Sequence, residues 1–310
     1  MLQPKALAVV NEVRKAILGK DAVVCKVLMA ILARGHILLE DNPGVGKTTL
    51  ALAFSKAMGL DYNRVQFTPE VMPADVVGFS VWDRATGNFS YRPGAVLCNL
   101  FLADEINRTS AKTQSALLEA MEEGQVTVDG VSHPVPRPFM VIATQNPVGA
   151  AGTALLPDSQ LDRFLLRLTI GYPTPAQELE LLRRRQYSGG MAGVEQVLEP
   201  EQLLELVRTV ERVHISDEVL RYIVRLTDAT RSTPQIAQGA SPRATLAVAS
   251  ASRAAAFLRG RDYVLPEDVQ CMWVDVVAHR LILAPAAEGS VTAAAIAERL
   301  LRAVEAPKIR

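Results

Sequence analysis

Neither sign of charge prevails in this chain: 33 basic and 33 acidic residues leave a formal net charge of zero. That balance removes the electrostatic footprint of a protein that grips nucleic acid or anionic membrane nonspecifically, though a local basic stripe is compatible with it. Cysteine is scarce. Cys25, Cys98 and Cys271 stand far apart without metal-ligand spacing, and three scattered thiols fit a reducing compartment. No apolar run approaches the ~18 residues that span a bilayer. The run Val27-Leu28-Met29-Ala30-Ile31-Leu32-Ala33 is bounded by Lys26 and Arg34 and reads as a buried helix. A signal-peptide pattern is missing from the N-terminus, so the expected location is cytoplasmic. Internal repeats and low-complexity tracts are missing as well. What is present is ordinary for a globular protein, with 49% hydrophobic and 21% charged residues. A chain of 310 residues has room for one large or two modest domains, each with its own core.

Residues 1–170 alternate strand-like and helix-like segments. Strands are expected at Ile37 to Glu40, Tyr62 to Gln66, Leu100 to Asp104, Phe139 to Thr144 and Leu165 to Ile170. Helices are expected near 3–17, 22–34, 47–58, 111–122 and 159–163. This alternation predicts an α/β fold, a parallel sheet with helices on both faces and its ligand at the carboxyl ends of the strands. Two hairpin inserts interrupt it, near 78–92 around Arg84-Ala85-Thr86-Gly87-Asn88 and near 125–137 around Asp129-Gly130. Covering a sheet or helix edge explains them as well as a functional role does. After Pro173-Thr174-Pro175 strand signals largely vanish. Helical periodicity near 176–187, 200–211, 216–231, 243–258, 266–277 and 291–304 makes 173–310 a small all-helical domain. Loops are expected at 188–193 and 234–241, the second closed by Ser241-Pro242 as helix cap and first-turn proline.

The most informative stretch is Asp41-Asn42-Pro43-Gly44-Val45-Gly46-Lys47-Thr48, set between the apolar Ile37-Leu38-Leu39 and the helix-favouring Thr49-Leu50-Ala51-Leu52-Ala53. Strand, glycine loop, Gly-Lys-Thr and helix make a phosphate-binding P-loop. Main-chain N–H groups from Gly44 to Thr48 can wrap a triphosphate at the positive end of the following helix. Lys47 would reach the β- and γ-phosphates, and the Thr48 hydroxyl would hold Mg²⁺. Asp41 departs from the usual opening glycine. Its carboxylate is unfavourable near phosphate unless it turns outward or caps a turn.

Leu100-Phe101-Leu102-Ala103 ends in Asp104-Glu105. Asp104 would hold Mg²⁺ through water, and Glu105 would polarise an attacking water. Neighbouring strand residues face opposite ways, so the pair must leave the strand to share a site. A bare Asp-Glu pair is usually a solvated turn; its place after a buried strand favours the functional reading. Asn146, in Ala143-Thr144-Gln145-Asn146-Pro147, can hydrogen-bond a phosphate or the water, although Asn-Pro alone is a turn signal. Arg163 suits transition-state charge, against the plainer reading of an ion pair with Asp162 or Asp158. Arg243 sits in the first turn of a helix, where a cation is disfavoured. That cost asks for a partner, either a nucleotide phosphate or an Asp or Glu.

Together these segments resemble the AAA+ ATPases, and within them the MoxR family. Further matching residues are Phe67-Thr68-Pro69-Glu70, Pro73-Ala74-Asp75, Ala103-Asp104-Glu105-Ile106-Asn107-Arg108, Gln114 to Glu123, Leu161-Asp162-Arg163-Phe164 and Ala240-Ser241-Pro242-Arg243. The likeness runs from about residue 7 onward. It implies a nucleotide-binding core over 1–172, a helical lid over 173–310, and a ring, usually hexameric, with ATP or ADP at subunit interfaces. Lys47, Thr48, Asp104, Glu105 and Asn146 match the cis side of that site, with Thr49 beside them. Arg163 matches the arginine finger from the neighbouring subunit. Arg243 matches the sensor-2 arginine, in cis or in trans because the lid of this subgroup is repositioned. Leu18 and Gly19, in Ile17-Leu18-Gly19-Lys20, match the segment lining the adenine pocket. The expected function is an Mg²⁺-dependent ATPase acting as a chaperone that remodels or matures a partner protein, often one with a von Willebrand factor A domain. Rival readings are a magnesium chelatase-type or nucleic-acid motor on the same core and a nonhydrolysing, nucleotide-gated binding module. Neutral charge and the lack of an added DNA-binding domain weigh against the motor. Glu105 and Arg163 weigh against the module.

Overall fold

The apolar runs around Leu38, Phe101 and Val141 are too continuous for a sheet with a wet face, and they form its three central strands. The computed structural model describes residues 3–85, 87–146, 156–187 and 193–308. Thr86 of the first hairpin loop, Pro147 and Leu155 of the segments around Asn146 and Arg163, and residues 188–192 of the expected loop lie outside them. In chain order the first half runs α1 (Gln3–Ala16), α2 (Asp21–Leu32), β1 (His36–Glu40), α3 (Lys47–Ala57), β2 (Tyr62–Gln66), α4 (Pro73–Val77), β3 (Gly78–Asp83), β4 (Asn88–Pro93), β5 (Leu100–Asp104), α5 (Ala111–Glu123), β6 (Gln125–Val128), β7 (Val131–Pro134), β8 (Met140–Gln145), α6 (Asp158–Leu161) and β9 (Phe164–Leu168). The second half runs α7 (Pro175–Tyr187), α8 (Pro200–Glu211), α9 (Asp217–Arg231), β10 (Ile236–Gln238), α10 (Pro242–Leu258), α11 (Pro266–Val277), β11 (Ile282–Leu283) and α12 (Ala293–Ala303).

Five parallel strands stand in the order β2-β5-β8-β1-β9. Side chains alternate strictly between the two faces, as the period of a strand requires. Ile37, Leu39, Leu100, Leu102 and Ile142 join one hydrophobic cluster. Leu38, Phe101, Ala103, Val141 and Ala143 join the other. The first cluster continues through α1, α2 and α3 into α8, α9, α10 and α11, so it runs across the boundary expected at 172/173. The second is closed by Leu117, Leu118 and Met121 of α5 with Phe67 and Val76. Edge strand β2 is polar at Asn63, Arg64 and Gln66, as a strand with a solvated side permits.

All five expected strands and the expected helices are present, their ends shifted by a residue or two. Three short elements were not anticipated: α4, which begins at Pro73, and β10 with β11, which pair antiparallel through Ile236 and Leu283 inside the helical half. Few residues leave no periodicity to read. Both hairpins form, and Tyr91 of β4 stacks on His133 of β7 with ring centroids 3.7 Å apart. Asp129 and Gly130 both take positive φ in the second turn. On the first hairpin Phe79, Trp82 and Phe89 stay exposed.

Candidate functional site

Because β5, β8 and β1 are parallel neighbours, their carboxyl ends share one edge of the sheet. There the chain turns from β1 through the glycine loop into α3. Gly44 and Gly46 take φ of 86° and 98°, which a side chain would strain, and an added Cβ at Gly44 would meet nothing. Gly46 stands at the N-terminus of α3 without a side-chain cap, so the first-turn N–H groups are left for a ligand. The buried ammonium of Lys47 donates to the Asp41 carbonyl oxygen at 2.7 Å and to Asn146 Oδ1 at 3.5 Å. Burial pulls its pKa down, against Asp104, Asp41 and Glu105, which pull it up. Asp41 turns its carboxylate away from the loop. It accepts from the N–H groups of Ile170 and Gly171, capping the backbone beyond β9.

Glu105 solves the problem of two adjacent carboxylates. It leaves β5 in the left-handed region, with φ 55° and ψ 47°, a costly conformation for a residue with a side chain. Its side chain is thereby brought to the same cavity as Asp104. That cavity, of about 370 Å³, is lined by Pro43, Gly44, Gly46, Lys47, Thr48, Thr49, Arg64, Gln66, Asp104, Glu105 and Asn146. Thr144 donates its hydroxyl to Asp104 Oδ1 at 2.6 Å and accepts from the Glu105 N–H at 2.9 Å. Asn146 Nδ2 donates to Glu105 Oε1 at 3.0 Å, and Arg108 reaches Glu105 Oε2 at 2.9 Å. The hydrogen bond from Arg108 holds the Glu105 carboxyl below its ordinary range; burial opposes this and Asn146 supports it. Glu105 is therefore an ionised acceptor at neutral pH.

The donor set fits a magnesium nucleotide. The cradle is open, two of three Lys47 donors are engaged among the described residues, and Thr48 and Asp104 share the cavity. Asn107 Oδ1 and Arg108 Nε are buried beside it without a partner among the described residues, as where a ligand or water completes a network. Asp104 already accepts from Thr144 and from Arg64 at 2.7 Å, which suits a metal met through water. Of the other loop residues, Asn42 and Val45 do not line the cavity. The segment with Leu18 and Gly19 lies alongside: Ile17 Cδ1 is 3.8 Å from a Cβ built on Gly46, and Lys20 donates to the Tyr172 carbonyl oxygen at 2.8 Å.

Arg163 and Arg243 are elsewhere. Arg163 immediately precedes β9, whose Phe164 pairs with His36 at the beginning of β1. A five-residue strand then separates it from the loop after Glu40, roughly 15 Å of rise. Neither arginine lines the loop cavity. Both reach one carboxylate, Glu122 at the end of α5: Arg163 at 3.3 Å and Arg243 at 3.2 Å. The partner that Arg243 demands at its helix N-terminus is thus, in this chain alone, the acidic side chain.

The comparisons with known proteins agree with this arrangement. Residues 36–166 match the family model "ATPase family associated with various cellular activities (AAA)", and residues 228–300 match the AAA lid domain. The chain is similar to the protein YeaC of Bacillus subtilis, 45% identical over 307 residues that cover 99% of this chain and 96% of that protein. It is similar to the chaperone MoxR1 of Mycobacterium tuberculosis, 39% identical over 308 residues, 96% of this chain and 81% of that one. The chain belongs to the MoxR family of AAA+ ATPases. A crystal structure of an ATPase candidate from Cytophaga hutchinsonii superposes with a TM-score of 0.91 at 38% identity, covering 99% of this chain and 96% of that one. The fold is therefore a parallel-sheet AAA+ core followed by a helical lid.

For this MoxR-type chain, sequence reasoning missed the roles of four residues at or near the two sites. Arg64 and Gln66 enter from β2, and only the pairing of Gln66 with Asp104 brings that edge strand alongside. Glu122 lies inside the matching segment Gln114 to Glu123, but nothing in that segment gave it a role. Arg108 could have been found, since it lies three residues after Glu105, one turn of the 3-10 segment Ile106–Arg108.

Proposed function

We propose that this chain hydrolyses ATP and couples the cycle to remodelling or maturing a partner protein. The observation that carries the reading is the convergence of Lys47, Asp104, Glu105 and Asn146 on one cavity at the glycine loop. The loop amides from Gly44 to Thr48 and Lys47 bind the phosphates. Thr48 and, through water, Asp104 hold Mg²⁺, which when bound neutralises charge on the β- and γ-phosphates. Glu105 orients and deprotonates the attacking water, and Asn146 fixes both Glu105 and Lys47. Arg163 faces a neighbouring subunit's γ-phosphate, because its own loop lies beyond its reach. Arg243 is beside it and acts in trans as well. A ring, hexameric as in the family resemblance, follows from that division. The division of the chain at 172/173 places the hinge next to Ile170 and Gly171, which Asp41 grips. The partner is proposed to carry a von Willebrand factor A domain, on the family likeness alone. The chaperone name of the mycobacterial relative supports the remodelling half. None of the described helices is long and apolar enough to cross a membrane, and three free thiols support a cytoplasmic setting.

Glu105→Gln is the direct test. Turnover is expected to fall roughly 10²- to 10⁴-fold while ATP affinity, read by calorimetry, is retained. Undiminished turnover would remove Glu105 from the water. The same variant with ATP should retain the partner in a pull-down that wild type releases.

A further inference from the structure

Two arginines from different halves of the chain meet on a single carboxylate, each taking one oxygen. Arg163 lies on the core and Arg243 in the first turn of α10 in the lid. Glu122, between them, ends α5. Both partners stand where their charges are disfavoured. An anion at the C-terminus of α5 and a cation at the N-terminus of α10 each oppose a helix dipole. The misfits cancel only when the groups meet. Two neighbouring guanidiniums also repel each other, and a carboxylate between them offsets that repulsion.

The surroundings fix the meeting point. Asp162, next to Arg163, accepts from Arg280 Nε at 2.6 Å and from the Ser241 hydroxyl at 3.3 Å, and Ser241 caps α10 two residues before Arg243. Buried Arg280 also donates to the carbonyl oxygens of Asp162 at 3.1 Å and Phe164 at 2.7 Å, gripping the backbone on both sides of Arg163. The main chain under the two arginines is thus rigid, while their side chains are a third to half exposed, at 30% and 45%. An open cavity of about 280 Å³ adjoins Arg163 but not Arg243, and Ser115, Gln160 and the carboxylates Glu119, Glu122 and Glu123 also line it. One carboxylate oxygen for each planar fork leaves donors of both guanidiniums unused for an incoming anion.

We propose that Glu122 is a positioning residue: it gathers Arg163 and Arg243 into one cationic pair that a neighbouring subunit's γ-phosphate takes over. This rests on the reading that Arg163 acts in trans. Glu122 holds the place of the phosphate until a more highly charged anion displaces it. It touches neither nucleotide nor water.

The test uses the full-length chain. Glu122→Gln is isosteric and keeps a half-exposed polar group, so folding is preserved. Its kcat should fall roughly five- to tenfold, since two exposed ion pairs of modest strength are lost. The KM for ATP should stay within about twofold, because the loop cradle is untouched. Glu122→Asp should recover part of the loss. Added to Arg163→Ala/Arg243→Ala, the Glu122→Gln change should have no further effect. Mixing Glu122→Gln with Glu105→Gln subunits should restore turnover at interfaces that join an intact loop to intact arginines. Wild-type kcat in Glu122→Gln, or a further loss in the arginine-less background, overturns the proposal. Mixing Arg163→Ala with Glu105→Gln serves as the reference. If that mixture recovers and the Glu122→Gln mixture does not, Glu122 has no role in trans and the arginine finger stands. If neither recovers, the trans reading itself falls and the proposal with it.

Discussion

The two edges of the sheet carry charge in opposite styles. At the carboxyl edge Lys47, Asp104 and Asn146 are buried and come from the glycine loop and the ends of β5 and β8; Lys47 bonds Asn146, Asn146 bonds Glu105, and Thr144 bonds Asp104. At the amino edge Arg163, Arg243 and Glu122 are partly exposed, come from core and lid, and share a single carboxylate. The first edge is built to hold a polyanion, and the arginine that lines its cavity, Arg64, is already paired with Asp104. The second presents arginines and no phosphate cradle. On the proposed reading the two edges complement each other, as parts of one site divided between two copies of the chain. Burial fits the groups that must not move. Exposure fits groups that must meet another subunit.

Arg163→Ala should break that comparison most severely. Stabilisation of transition-state charge by such an arginine is worth roughly 10³–10⁵ in rate. The variant should bind ATP with affinity near wild type, because the cradle is whole. Turnover with normal KM and only a slight loss of kcat would show that the amino edge is not part of the site.

Acidity sharpens the same contrast. His36 and His279 are the buried histidines among the described residues, and both brace the amino edge. His36 Nε2 donates to the Met121 carbonyl oxygen at 3.0 Å while Nδ1 accepts from Val141 N–H at 3.0 Å. His279 bonds the Phe164 carbonyl oxygen, one residue from Arg163. Burial pushes the His36 pKa down to about 4, against the Met121 hydrogen bond and with help from Arg243. The unfolded chain binds this proton at about 6.5, so stability falls as pH drops from there towards 4. At pH 5 His36 alone should cost about 2 kcal/mol relative to pH 7. Urea unfolding of wild type and His36→Gln at both values checks this. An equal pH dependence in the two would refute it. Glu105, whose pKa is lowered, stays ionised over much of this range, so acid should weaken the arginine edge first.

What could be read in the sequence was what is local. Gly44 to Thr48 and Asp104-Glu105 are contiguous, and a periodicity of two or 3.6 extends over a whole strand or helix. The fold class, the strand positions and the helical lid followed. What could not be read depends on distant pairing. Arg64 meets Asp104 across 40 residues because β2 pairs with β5. Glu122 meets Arg243 across 121 residues, through the packing of lid on core. Asp41 is intermediate: its misfit was visible, but its partners lie 129 and 130 residues on.

Asp41 therefore gives the smallest and most specific test. In the usual pattern a glycine stands there, so Asp41→Gly makes the loop more typical. If the carboxylate served the phosphates, the change would alter ATP affinity directly. Its bonds instead run to Ile170 and Gly171, just before the prolines at which the lid is proposed to begin. Removing an ionised acceptor from two partly or fully buried N–H groups should cost about 1–3 kcal/mol in stability, seen as a lower urea midpoint. Nucleotide affinity should change by no more than a few-fold, while the dependence of lid protection on nucleotide, read by hydrogen exchange over 173–187, should weaken. A large loss of affinity at unchanged stability would place Asp41 with Lys47 in the cradle, and the separation of the loop's two duties, holding phosphate and gripping the hinge, would be lost.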